Sequence, residues 1–252
     1  MKRQVYETFS GDQVTDSMLG EAAKLFNENY GIWGKCSHNP GEPVKLSVRR
    51  LREQYLLSPA TISCYVRVTV DGNLAGNAFA CRWKHDGKHI CWITQLVVNR
   101  NYRERGLASG LLRSIRFDTD DMYGIMSSHP AACMAAASSF GMGIEKVPLD
   151  LIKENAKMIM EASPVPYIKD AKLCGYLFKP GDSTGLVCGV DTEFFVDHEE
   201  PLDALEIVRQ DWQWPLGDLL DGHEYLLIVP AKLRRSRSSS SSKSRRGALS
   251  GQ

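Results

Sequence analysis

The chain has no window approaching the roughly 20 consecutive apolar residues that a membrane-spanning helix requires, and Met1 to Phe9 lacks the apolar core of a signal peptide. The expectation is a cytoplasmic protein without membrane contact. Cysteine occurs, but without a pattern. The seven residues at positions 36, 64, 81, 91, 133, 174 and 188 are odd in number, with no CxxC spacing and no clustered histidines. This argues against a disulfide framework, and no metal site is expected; reduced thiols packed in a core are the simplest reading. Internal repeats are absent. The glycines and lysine of the dinucleotide-binding and P-loop fingerprints are missing as well.

What is present is a chain of 252 residues with 43% hydrophobic content, enough to bury a sizeable core. Its net charge of +1 hides a division. Seven basic and no acidic residues follow Ala231, leaving 24 basic against 30 acidic residues before it and a body of net charge −6. The Arg-Ser segment, with five consecutive serines from Ser238, has too little apolar surface to fold, so 231–252 is expected to be a disordered basic tail after a domain spanning 1–230. Such a tail is a solvated end, a nuclear import signal, a phosphorylation target or a contact for nucleic acid.

The densest chemical signal runs from Trp92 to Leu112. Ile93, Leu96, Val97 and Val98 make a short β-branched strand, Asn99 to Arg105 is polar and turn-like, and Gly106 opens a helix. Leu107, Gly110, Leu111, Ser114 and Ile115 recur at helical spacing and give that helix one packed face. The first turn of a helix carries N–H groups without intrahelical partners and about half a positive charge. A phosphate is welcome there, and Arg103 and Arg105 add charge.

In these residues, Arg103-Glu104-Arg105-Gly106-Leu107-Ala108, the chain resembles the GCN5-related N-acetyltransferases, whose signature is (Arg/Gln)-x-x-Gly-x-(Gly/Ala) after a strand such as Leu96-Val97-Val98. The likeness covers residues 13 to 145 best. It implies a mixed α/β fold with a central, mostly antiparallel sheet flanked by helices. It implies acetyl-coenzyme A as co-substrate, its pyrophosphate on the N–H groups from Arg103 to Ala108 and its pantetheine arm along Leu96, Val97 and Val98 like an added strand.

The flanking elements arrive in the order this fold needs. Helices are expected over Asp16 to Tyr30 and Val44 to Leu57, with a loop between them that carries Trp33. By the resemblance this loop lies over the acceptor site, so Trp33 either lines the substrate pocket or packs on the core. Strands are expected at Ile62 to Val70, Leu74 to Trp83, His89 to Val98 and Met122 to Ser127, with Asp71-Gly72 as a hairpin turn and an alanine-rich helix at Pro130 to Phe140.

Family members often place a proton-donating tyrosine on that last helix, but Ala136 stands there. His129 is the nearby residue able to shuttle a proton, or it caps the helix. Trp92 occupies the strand position where some members carry a glutamate base. The acidic stretch Asp191, Glu193, Asp197, His198, Glu199 and Glu200 offers replacements, with Asp191 and Glu193 leading because they border the apolar Phe194-Phe195-Val196.

The C-terminal third is expected to hold a helix from Leu151 to Glu161, strands near 176–178, 186–196 and 224–229, a helix from Leu202 to Arg209, and Trp212 and Trp214 as an aromatic wall or as core. The function read from the sequence is transfer of an acetyl group to an amine. A small molecule is favoured by the negative body, and a protein amine stays open. Two other readings stand beside it: a non-catalytic coenzyme A-binding or regulatory module, and a nucleic-acid-associated factor acting through the basic tail.

Overall fold

The computed structural model describes residues 3–57, 59 and 62–231; the expected tail from residue 232 onward lies outside them. A single eight-stranded sheet runs through the molecule in the order β1-β2-β3-β4-β5-β8-β7-β6. The strands are β1 (Gln4–Ser10), β2 (Ser63–Val70), β3 (Asn73–His85), β4 (Lys88–Val98), β5 (Met122–Ser127), β6 (Lys172–Cys174), β7 (Gly189–Asp191) and β8 (His223–Pro230). Every neighbouring pair is antiparallel except β4 and β5. This is the mixed α/β, mostly antiparallel sheet expected from the sequence.

The helices follow from local signals. Thr15 caps α1 (Asp16–Asn29) by accepting the Met18 N–H at 3.3 Å, and Ser47 caps α2 (Val48–Tyr55) by accepting the Arg50 N–H at 3.2 Å. Leu19, Ala22 and Leu51 from these two helices pack on Tyr65 and Phe79. The alternate residues Val66 and Val68 turn to the opposite face, where α3 (Leu107–Ile115) and α4 (Pro130–Phe140) deliver Leu111, Leu112, Ile115, Ala136 and Ala137. The remaining helices are α5 (Leu149–Glu161), α6 (Pro166–Asp170) and α7 (Glu199–Asp211). Six of the seven cysteines are buried, and all seven are free thiols.

Three expectations are corrected here. Residues 176–178 form a turn, because Gly175 at φ +96° reverses the chain, and the strand is β6 just before it. The strand expected over 186–196 shrinks to β7. Trp212 lies at the surface, while Trp214 packs on Tyr225 with its indole N–H donating to the Gly217 carbonyl at 3.0 Å. The two do not form a wall.

Two features position the site. Arg82 forms a fork to Asp120, whose side chain is fully buried, at 2.8 and 2.9 Å, and also donates to the Ile115 carbonyl at the end of α3. This fixes α3 to β3 and to the entry of β5. The second is the way β4 and β5 meet and part. Their ladder runs from Ile90 opposite Met122 to Ile93 opposite Ile125 and goes no further. There β4 bulges: Phe79 faces Gln95 but Ala80 faces Ile93, so Thr94 is the extra residue.

The last stretch before the bulge is set by Trp92 lying over Gly124, its partner in the ladder. Trp92 is fully buried, and a Cβ on Gly124 would sit 2.2 Å from its ring. Gly124→Ala is expected to destabilise the fold by about 1–3 kcal/mol through overpacking, read by urea unfolding. An unchanged midpoint contradicts this account of Gly124.

Candidate active site

The turn between β4 and α3 is built by backbone conformation. Asn99 Oδ1 accepts the Asn101 N–H at 3.0 Å, Glu104 sits at φ +60°, and Gly106 caps α3 at φ +73°, a left-handed geometry that strains any residue with a Cβ. Among the described residues no side chain caps this helix. Its first intrahelical bond is Gly110 N–H to Gly106 C=O at 3.0 Å, so the N–H groups before it are left for an external acceptor at the positive end of the dipole.

Arg103 is occupied within the protein. It donates to the Val98 carbonyl at 3.3 Å, to the Asn29 carbonyl at 2.9 Å and to Glu200 of α7. Arg105, exposed, lies over the Tyr102 ring at 5.5 Å. Glu200 also faces His129 Nε2 at 3.5 Å and Arg100 at 3.6 Å. The hydrogen bond from His129 and the charge of Arg103 hold its carboxyl down at about 2 against the opposing effect of burial. His129 caps α4, with Nδ1 accepting the Ala131 N–H at 3.2 Å.

A cavity of about 600 Å³ opens where β4 and β5 part. Thr94, Gln95 and Leu96 line it from β4, Met126 and Ser127 from β5, Glu224 from β8, and Trp33 and Phe194 from two loops. Beyond Thr94, β4 keeps β3 on one side and, among the described residues, has no strand on the other. A strand residue sends its N–H and C=O to the same side, and Asn99 N–H bonds the Ala75 carbonyl of β3, so Thr94, Leu96 and Val98 address the open edge. The ends of that edge are taken: Tyr167 donates to the Thr94 carbonyl at 3.0 Å and Arg103 to that of Val98. Leu96 lies open between them. The Thr94 hydroxyl is buried with no partner among the described residues.

The site residues picked out from sequence fall in three places. Trp33, Leu96, Asp191 and Glu193 share the cavity. Val97 does not line it but packs with Leu25, Phe26, Val44 and Val196, of which Phe26 and Val44 do. His129 stands outside the cavity, facing Glu200. Asp191 and Glu193 lie toward the mouth: Asp191 Oδ1 accepts the Glu193 N–H at 3.1 Å, and Glu193, exposed, pairs with Lys172 at 3.1 Å.

Glu224, missed from sequence, lies deeper. Burial pushes its carboxyl up to about 7, opposed by a hydrogen bond from Thr192. Tyr55, pushed up to about 12 by burial, and Tyr167, pushed well above its ordinary value by burial, both feel the Glu224 charge. The available signal was a carboxylate entering an apolar run, Glu224-Tyr225-Leu226-Leu227; which face it took required the pairing with Val190. Among the described residues no group of three or more His, Cys, Asp or Glu is arranged to hold a metal, and no helix is long and apolar enough to cross a membrane.

A family model described as the Acetyltransferase (GNAT) family matches residues 24–121. Over these residues the chain is similar to that family. The match runs from within α1 through the turn before α3 and α3 itself and stops just before β5, so α4 and the C-terminal third lie beyond it. Comparison with curated proteins finds no match.

Among solved structures the chain is similar to the glucosamine N-acetyltransferase region of a fungal multi-domain beta-N-acetylglucosaminidase (13% identity, 50% of this chain, 14% of that one, TM-score 0.38). It is also similar to an aminoglycoside acetyltransferase from an uncultured soil metagenomic sample (11%, 44%, 66%, 0.33) and to the ribosomal-protein-S18-alanine N-acetyltransferase of Escherichia coli (15%, 54%, 77%, 0.37). The chain therefore spans about a seventh of the first of these relatives and just under two thirds of the second.

The elevated pKa of Glu224 has a consequence for folding. An acid held at about 7 in the fold binds its proton more tightly there than in the unfolded chain, near 4.3, so its penalty is absent below pH 4, grows through pH 4–7 and is complete above pH 7. Glu224→Gln is expected to match the wild type at pH 4 and to be more stable by roughly 1–3 kcal/mol at pH 8, measured by urea unfolding at both values. A gain equal at both pH values contradicts the assignment.

Proposed function

We propose that the chain is an acetyl-coenzyme A-dependent N-acetyltransferase acting on a small-molecule amine. The observation that carries this is the juxtaposition, around one splayed strand, of an uncapped helix N-terminus, an unpaired strand edge and, on β8, a half-buried carboxylate of raised pKa. The first suits a pyrophosphate, the second an extended amide-bearing arm, and the third the proton of an ammonium. Acetyl-coenzyme A supplies an activated acetyl group on a thioester.

In this reading the N–H groups from Glu104 to Ala108 hold the pyrophosphate, while Arg103 braces the turn, its own N–H donating to the Arg100 carbonyl at 3.4 Å. Leu96 receives the arm, with Val98 beside it where Arg103 covers the carbonyl. The unpartnered Thr94 hydroxyl and Gln95 lie at the reacting end of the cavity. Glu224 takes one proton from the incoming ammonium, which frees the lone pair that forms the N–C bond as the C–S bond breaks. The sulfur departs with the bonding pair, and the second nitrogen proton goes to it through solvent. A thiolate with a conjugate acid near 8.5 leaves without prior protonation, which fits a helix bearing Ala136 where a tyrosine donor would stand. Asp191 and Glu193 at the mouth act on the approach of the amine.

The non-catalytic alternative leaves the elevated Glu224 without a task. Two variants test the proposal. Ala108→Asp adds a carboxylate to the first turn of α3, where it favours the helix dipole, so the melting temperature is expected to hold while acetyl-coenzyme A affinity by calorimetry falls roughly tenfold or more. Glu224→Gln is expected to retain that affinity, lose about 10²–10⁴-fold in kcat/KM and lose the rise of rate with pH through about 7. Wild-type protein that neither binds acetyl-coenzyme A nor releases thiol with any amine rejects it.

A further inference from the structure

One flank of the cavity is aromatic, and it is built by two loops that close on each other. Residues 31–44 and 192–198 meet at a bridge between Trp33 and Val196, with Gly34 N–H to Phe195 C=O at 2.8 Å and Asp197 N–H to Ile32 C=O at 2.9 Å. The fit is close: a Cβ on Gly34 would stand 3.0 Å from the Val196 carbonyl. This pairing sets Trp33 edge-on to Phe194, with centroids 5.2 Å apart and planes at 78°. Phe194 lies 6.1 Å from Tyr30, and burial pushes the Tyr30 phenol well above its ordinary pKa, so the flank stays neutral.

These rings line the same cavity as Glu224. Ring faces carry partial negative charge and attract a cation, and an aryl group packs against them edge-on or offset. A polyhydroxylated acceptor would surrender its water to rings that offer few hydrogen bonds in return, and each hydroxyl left unpaired would cost affinity.

Resting on the acetyltransferase reading above, we propose that the acceptor is a small arylalkylamine, its ring held among Tyr30, Trp33 and Phe194 and its ammonium directed to Glu224. The transfer balances as described: one proton passes to Glu224, the N–C bond forms, the C–S bond breaks, and the sulfur takes the electron pair and then the second proton.

The test uses the full chain and three probes: phenethylamine, glucosamine and a short peptide with a free N-terminus. Binding of phenethylamine is measured by calorimetry without any cosubstrate, and kcat/KM is then measured for each probe with acetyl-coenzyme A. Expected are direct binding of phenethylamine and a kcat/KM for it at least roughly tenfold above the other two. Phe194→Ala should raise its KM roughly tenfold with kcat little changed, and Phe194→Tyr should restore it.

Preference for glucosamine or the peptide overturns the proposal. So does acetyl-coenzyme A binding in a protein that ignores phenethylamine, or a KM indifferent to Phe194→Ala in a folded variant. Phenethylamine binding without acetyl-coenzyme A binding would reject the acetyltransferase reading and leave the amine site standing.

Discussion

The bulge at Thr94 is the constraint on which the rest of this structure depends. Up to Ile93, β4 and β5 are ordinary parallel partners; one extra residue in β4 redirects it, and the ladder stops. Backbone groups that lose a partner inside a protein must find another or remain open to a ligand. Here the two outer carbonyls of the freed edge are met by Tyr167 and Arg103, and the middle position, Leu96, is not. The cavity fills the angle between the strands, and Glu224 stands in it because β8 pairs with β5 on the far side of the split.

The C-terminal third closes this angle and also ties it to the turn before α3. The chain leaves β7, pairs with the loop bearing Trp33 and enters α7, whose Glu200 holds Arg100, Arg103 and His129 together. Arg103 links that carboxylate to the ends of α1 and β4. One side chain thus ties three elements, α7, α1 and β4, to the turn, so the turn is held by contacts behind it and presents its N–H groups outward. Ion pairs at such partly exposed sites add little net stability on their own. Their value here is geometric, since a fork of donors on fixed acceptors leaves the turn little freedom.

Much of this was legible in the sequence wherever the signal was local. The hairpin at Asp71-Gly72, β5 over Met122–Ser127 and α4 over Pro130–Phe140 followed from turn residues, β-branched runs and a proline at the first helical position. The turn at Arg103 to Ala108 was visible for the same reason. What stayed hidden depends on distant pairing. Strand β1 was not recognised because it has no buried residue to give an alternating pattern. β6 and β7 have three residues each, too few for a period to show. Glu224 was placed in a late strand, but its environment exists only once Val190 and the end of β5 flank it, so Asp191 and Glu193 took the attention that the deeper carboxylate earns by burial.

The central claim is that the open edge of β4 receives the thioester-bearing arm. Amide hydrogen exchange resolved to single residues, with and without acetyl-coenzyme A, tests it most directly, because neighbouring residues on β4 address opposite sides. The account predicts strong new protection at the Leu96 N–H on binding, with the Val97 N–H, which faces β3, unchanged. Binding with the Leu96 N–H as unprotected as before, and protection gained elsewhere, would contradict it.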